Sequence, residues 1–306
     1  MEWLELVLLT VITASTPLLL AAIGELVVER SGVLNLGVEG MMIMGAVAAF
    51  AVAVQTDNGA LGVIAGAFAG AALSLIFAVL TVTFATNQVA TGLALTLFGI
   101  GVSGVIGDAY VGVDRAPLPQ LAFPGLSDAP FIGSVVFGQD ALVYISFALV
   151  IAVTWFLRRS RAGLTLRAVG DNHNSAHSLG LPVVKVRYLA ILFGGGCAGL
   201  GGAYLSLSYT PLWVEGMTAG RGWIALALVA FSSWIPWRAI IGAYLFGAIT
   251  ILQFHAQGAG IGIPSQFMSS LPYLATIIVL VLISYERTRA RANTPLCLGV
   301  PFVPDR

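Results

Sequence analysis

Apolar residues in this chain come in long unbroken runs, not in strict alternation. The runs fall at about 4–24, 38–55, 60–82, 89–107, 141–157, 188–209, 222–235, 239–255 and 271–285, separated by polar, proline- or glycine-containing stretches. A helix that crosses a bilayer needs about 20 mainly apolar residues. A membrane β-barrel would show alternating segments of about ten residues instead. The pattern therefore predicts an all-α, polytopic helical membrane protein with about eight to ten transmembrane helices. The run at 222–235 is short, as a broken or tilted half-helix would be.

Composition agrees with this pattern. Of 306 residues, 58% are hydrophobic and 9% charged, and the mean hydropathy is +0.95. A soluble domain is about 45–50% apolar and about 25% charged. The formal net charge is zero, so nothing points to a nucleic-acid partner. Cys197 and Cys297 lie far apart in unlike surroundings, which argues against a disulfide or a thiol metal site. The first run lacks a basic flank and a small-residue cleavage site, so it is expected to stay as a helix. No linker divides the chain, and 1–306 reads as one transmembrane domain.

The scarce charge sets an orientation. With the C-terminus inside, the inner side receives the 158–187 loop, the 236–238 turn and the 286–306 tail. Of the 14 Lys and Arg residues, only Arg115 and Arg221 then fall outside. That bias follows the positive-inside rule and puts the N-terminus outside. The 108–140 stretch becomes the longest outer loop. Its prolines suit either an ordered docking surface or a plain solvated loop.

One stretch, "GELVVERSGVLNLGVEGMM" at 24–42, holds Glu25, Glu29, Arg30 and Glu39 between two apolar runs. Glu29 and Arg30 read as a membrane-edge anchor. Asn35 to Glu39 read as the start of the next helix, where a carboxylate suits the positive helix end. Val38-Glu39-Gly40-Met41 is echoed by Val214-Glu215-Gly216-Met217, each leading into an apolar helix. In this topology the two helices run in opposite directions. They make a candidate inverted repeat, an arrangement that marks substrate paths in many transporters.

Enzyme chemistry finds no support in the motifs. There is no phosphate loop and no H-E-x-x-H. "GGGCAGLGG" at 194–202 lies inside an apolar run, and with Gly62, Gly66 and Gly70 it reads as a close helix-packing surface. His173 and His177 have i, i+4 metal-ligand spacing, but no third ligand is in view, and a solvated face is preferred. The 158–190 loop has a partial apolar face (Leu164, Leu166, Val169, Ala176, Leu179) followed by Gly180 and Pro182. On its own it fits a docking helix or an ordinary basic loop.

Six segments occur in order: "GELVVERSGVLNLGVEGMM", "NQVATGLAL" (87–95), "LTLRAVGDNHNSAHSLGL" (164–181), "VRYLAILFGGGCAGLGGAYLSL" (186–207), "MTAGRGWIALA" (217–227) and "PLCLGVPF" (295–302). Together they make the chain resemble the membrane permeases of bacterial ABC importers for simple sugars and nucleosides, above all the shorter permease of the nucleoside branch. The resemblance covers essentially the whole chain. It implies a multi-pass protein of the cytoplasmic (inner) membrane that is not itself an enzyme. A second permease subunit, an ABC ATPase subunit that holds ATP and magnesium, and an extracytoplasmic substrate-binding lipoprotein are the implied partners. No cofactor is expected on this chain. The 164–181 segment resembles the coupling helix that enters the ATPase, with Leu164, Arg167, Val169, Gly170, Asp171, Ala176, Leu179 and Gly180 as its residues. His173 stands where the family usually has proline, and "FSSWIPW" (231–237) departs from the usual Phe-Gly-basic-Trp pattern.

The substrate implied is a small neutral solute: a nucleoside, purine foremost, or alternatively a simple sugar. Such a solute calls for hydrogen-bonding groups and aromatic faces in a mostly apolar path. Candidate path residues are Asn35, Glu39, Asn87, Gln88, Ser206, Ser208, Tyr209, Trp213, Glu215 and Trp223. For Tyr209 and the tryptophans an interfacial belt is the alternative. A channel or secondary transporter working without an ATPase is the rival from another class.

Overall fold

The structure, a computed structural model, describes residues 2–121, 132–258 and 293–303, with isolated positions between 264 and 281. The helices in chain order are α1 (Glu2–Arg30), α2 (Val38–Thr56), α3 (Gly59–Ala78), α4 (Gln88–Gly107), α5 (Ile132–Phe137), α6 (Ala141–Arg159), α7 (Arg161–Asp171), α8 (His173–Ser178), α9 (Val183–Tyr204), α10 (Arg221–Phe231) and α11 (Pro236–Gly258). One wide turn, Val79–Thr83, continues α3, and another, Leu205–Tyr209, continues α9. Among the described residues no strand forms.

Seven helices among the described residues are long and apolar enough to cross a membrane: α1, α2, α3, α4, α6, α9 and α11. The seventh run forms α10, which is only 11 residues. At 1.5 Å per residue it covers about 16 Å, roughly half the hydrocarbon core. The expected half-helix is therefore present, although it ends at Phe231, not at 235. The expected run at 271–285 falls for the most part outside the described residues.

Two boundaries differ from the sequence expectation. The first helix does not stop at 24 but continues to Arg30, because Glu25 and Glu29 are buried with hydrogen-bond partners and so need not break it. The ninth helix starts at Val183, directly after Pro182. The expected 158–187 loop is thus largely helical, made of α7, α8 and the first turn of α9.

Glycine-lined contacts hold the centre. Gly66 and Gly70 of α3 press on Ala203, Gly199 and Gly195 of α9, with no room for a Cβ at Gly70 or Gly199. Gly45 of α2 packs on Gly199, and Gly202 of α9 packs on the Met42 carbonyl. Lipid supplies no hydrophobic drive between helices, so close backbone approach and dispersion do this work. The expected packing faces at 62–70 and 195–199 are formed. On the other side of α9 lies α1, where Gly24 meets Cys197 and Gly194. Both cysteines are free.

Candidate functional site

The chain between α1 and α2 is irregular yet buried. Ser31 and Asn35 are fully enclosed, and Gly32 takes φ +84° to turn the backbone. Every polar group in such a segment needs a partner. The Asn35 amide donates to Glu25 Oε1 at 3.1 Å, the Leu34 amide to Gln88 Oε1 at 2.8 Å, and the Gly37 amide to Asn35 Oδ1 at 2.9 Å. Asn35 and Gln88 therefore hold the loop. Asn87 is exposed and caps α4, accepting from the Ala90 amide.

At the end of this loop the N-termini of α2 and α10 meet. Glu39, in the first turn of α2, is buried. Its Oε1 accepts from Thr218 Oγ1 at 2.6 Å and the Gly220 amide at 2.8 Å. Its Oε2 accepts from the Gly222 amide at 2.6 Å. One carboxylate thus meets the positive ends of two helices. Gly222 has to be glycine, because a Cβ would lie 2.5 Å from the Glu39 backbone. From this junction α10 runs to Phe231, and in the turn beyond it the Trp234 indole donates to Glu29 Oε2 at 2.6 Å while the Trp234 carbonyl accepts from Arg30. Glu29 and Arg30, expected as a membrane-edge anchor, both bond to Trp234. They fix the α10–α11 bend, where Ser233 and Trp234 both take positive φ.

The two Val-Glu-Gly-Met segments are not in the same register. Val38 opens α2, whereas Val214–Met217 lies in turns ahead of Arg221, where α10 begins. Glu39 is buried in the junction, while Glu215 is exposed beside Gly104 of α4. The helices do meet N-terminus to N-terminus, but the repeated tetrapeptide is not what relates them.

Three aromatic residues, Tyr209, Trp213 and Trp223, lie along the chain leading to the junction. Trp213 is buried against Gly107, and it pairs with Val111 through one backbone bridge. The Arg221 guanidinium lies 5.3 Å above the Tyr209 ring and donates to the Met217 carbonyl. Trp223 is half-buried on the first turn of α10. Ser206 is fully buried and donates to the Ala46 carbonyl, tying α9 to α2. Ser208 donates to Asp140, the N-cap of α6. Burial pushes the Asp140 carboxyl up, against the opposing pull of Ser208. The candidate path residues thus divide. Glu39, Tyr209 and Trp223 gather about the junction, Asn35 and Gln88 brace the buried loop, and Ser206 serves helix packing.

At the opposite end of α10, α7 and α8 lie against the bundle. Leu166, Val169, Gly170 and Ala176 are buried, and a Cβ on Gly170 would strike the Arg30 carbonyl. Leu164 is 60% exposed and Leu179 81% exposed. Asp171 and Gly180 are exposed and Arg167 is half-buried. The 295–302 segment crosses here, with the Cys297 amide donating to the Gly170 carbonyl at 2.9 Å and the Gly299 amide to the Gly32 carbonyl at 3.2 Å.

His173 corrects the expected solvated face. It is buried, packs on Phe302, and accepts at Nδ1 from Arg187 Nη2 at 3.0 Å. Burial, then the Arg187 charge, hold it below the usual imidazole value. His177 touches the same Phe302 ring but is exposed, as expected of a solvated face. No cluster of three metal-ligating side chains occurs among the described residues. Arg187, expected in a basic loop, is also buried and donates to the carbonyls of Ser31 and Val300. Its sequence signal is its place in the "VRYLAIL" segment. Thr218, Gly220 and Gly222 were likewise missed as Glu39's partners, although the glycine spacing in "TAGRG" is visible.

The family described as the branched-chain amino acid transport system permease component matches residues 7–284. The chain belongs to this permease family. A candidate glucose ABC transporter permease of Haloferax volcanii is 41% identical over 94% of both chains. A guanosine ABC transporter permease of Bacillus subtilis is 32% identical over 99% of this chain and 98% of its own. A nucleoside ABC transporter permease of Lactococcus lactis is 31% identical with the same coverage. ABC permeases are not enzymes. They pair with a second permease, and a separate ATPase subunit hydrolyses ATP.

Proposed function

We propose that this permease forms, with a second permease, the path by which an ATP-driven importer carries a nucleoside, purine nucleosides foremost, across the cytoplasmic membrane. The observation that carries the gating part is the Glu39 junction: two helices begin inside the bundle, face to face, beside Arg221 stacked on the Tyr209 ring. Discontinuous helices of this kind frame substrate sites in transporters. Glu39 is taken up by its three donors, which suits a neutral solute. The full-length likeness to nucleoside permeases supports the substrate class. A simple sugar is the second reading, favoured by the 41% relative; both solutes present hydroxyl-bearing rings.

In this reading α7 and α8 transmit the ATPase stroke. Exposed Leu164, Asp171, Leu179 and Gly180 meet the ATPase, half-buried Arg167 borders that face, and Val169, Gly170 and Ala176 hold the helices to the bundle. The end carrying Arg30, α7, α8 and 295–302 is cytoplasmic, and a lipoprotein delivers substrate at the other. ATP and magnesium sit in the ATPase. The test is uptake by the reconstituted importer with labelled guanosine, inosine and glucose, with and without ATP. ATP-dependent nucleoside uptake is expected, abolished by Leu179→Asp with the complex intact. Preference for glucose would transfer the assignment to the sugar reading. ATP-independent uptake by this chain alone would replace the importer with a channel.

A further inference from the structure

Behind α7, between α6 and α9, lies an apolar cleft. It has a volume of about 540 Å³, within the roughly 300–1,000 Å³ range of sites for small organic molecules. Its walls are Leu149, Val153 and Phe156 of α6, Leu166 of α7, and Leu189 and Phe193 of α9, and every residue lining it is apolar. The lining face of α7 carries Ala162 and Leu166, one turn apart. Leu164, exposed, lies on a different side of that helix. The cleft therefore opens away from the surface proposed for the ATPase.

One end of the cleft is basic. α6 turns into α7 through Arg158, Arg159, Ser160 and Arg161, and Ser160 caps α7 by accepting from the Gly163 amide. Trp155 and Phe156 before this turn and Ala162 after it line the cleft, so the arginines stand at its edge. All three are exposed, and no hydrogen bond or ion pair of their side chains forms among the described residues. Lys185, next to lining Val186, is exposed as well. Trp155 is 63% exposed, as expected of a ring at the headgroup level.

An apolar slot between transmembrane helices, ending in exposed guanidinium groups, has the complement of an anionic phospholipid. Basic pockets between helices attract such headgroups, and the guanidinium fork matches phosphate oxygens. We infer that this cleft holds a hydrocarbon chain of an anionic phospholipid whose phosphate is bound by Arg158, Arg159 and Arg161. The bound lipid bridges α6, α7 and α9 and so braces the coupling helix from behind.

The test uses the whole importer complex in vesicles doped with phosphatidylglycerol or phosphatidylcholine carrying the same photoreactive acyl chain. Phosphatidylglycerol is expected to label residues 149–166 and 186–193 several-fold more than phosphatidylcholine. The combined Arg158→Gln, Arg159→Gln and Arg161→Gln variant should bring the two lipids to equal labelling. Ala152→Trp, which fills the cleft from a lining position without removing charge, should lower labelling by both. Equal labelling of the wild type by the two lipids overturns the inference. So does crosslinking of these residues to another subunit in place of lipid.

Discussion

Glu39 serves two helix ends at once, and that dual use sets what its replacement does. Glu39→Gln keeps the size but removes the charge and turns an amide toward backbone N–H donors. A buried donor left unsatisfied costs about 1–3 kcal/mol. The variant is expected to lower the melting temperature of the purified complex and to lose uptake. Unchanged melting and uptake would mean that the junction carries neither stability nor gating. His173 makes a second residue-scale case. Its Nδ1 must stay unprotonated to accept from Arg187, and its pKa is held down by burial and that charge. A depressed value in the folded state leaves stability complete above the ordinary imidazole pKa of about 6.5. Stability then falls with pH below it, as the unfolded chain binds the proton more readily. Melting curves taken across that range should show the fall in the wild type and a flatter profile in His173→Gln.

At the scale of elements, glycine spacing decides which helices touch. Gly62, Gly66 and Gly70 were legible as a packing face because their period matches a helix turn. That this face meets α9 and α2 was not legible, since several helices carry small residues. Gly70→Leu would place a side chain where the Gly195 carbonyl now lies. Overpacking of this kind costs about 1–3 kcal/mol, and the membrane-inserted, folded yield should drop accordingly. Gly101 of α4 has nothing near its Cβ position, so Gly101→Leu is the matched control and should leave yield unchanged. An equal drop in both would remove the packing argument.

Over the whole molecule, residues far apart in sequence converge at one end. Arg187 joins the first loop, α8 and the tail, while Phe302 packs with Val169, Ala176 and Val183. Phe302→Ala removes a buried ring, a change worth about 3–5 kcal/mol in well-packed cores. The expected outcome is a complex that assembles poorly with its ATPase, read as reduced co-purification and lower substrate-stimulated hydrolysis. Normal co-purification with normal hydrolysis would mean that the tail is dispensable for coupling.

Apolar run length and charge asymmetry, by themselves, determined that this is a many-helix membrane protein with one short helix, because the bilayer imposes a length on each span and a cost on each charge. The glycine faces were legible through their period. Only the tertiary structure decided what the buried polar residues do. Whether Asn35 lines a path or braces a loop, whether Glu215 repeats Glu39, and whether Arg187 and His173 meet solvent or each other all depend on which distant donors and acceptors come within about 3 Å. Sequence spacing carries no record of that distance.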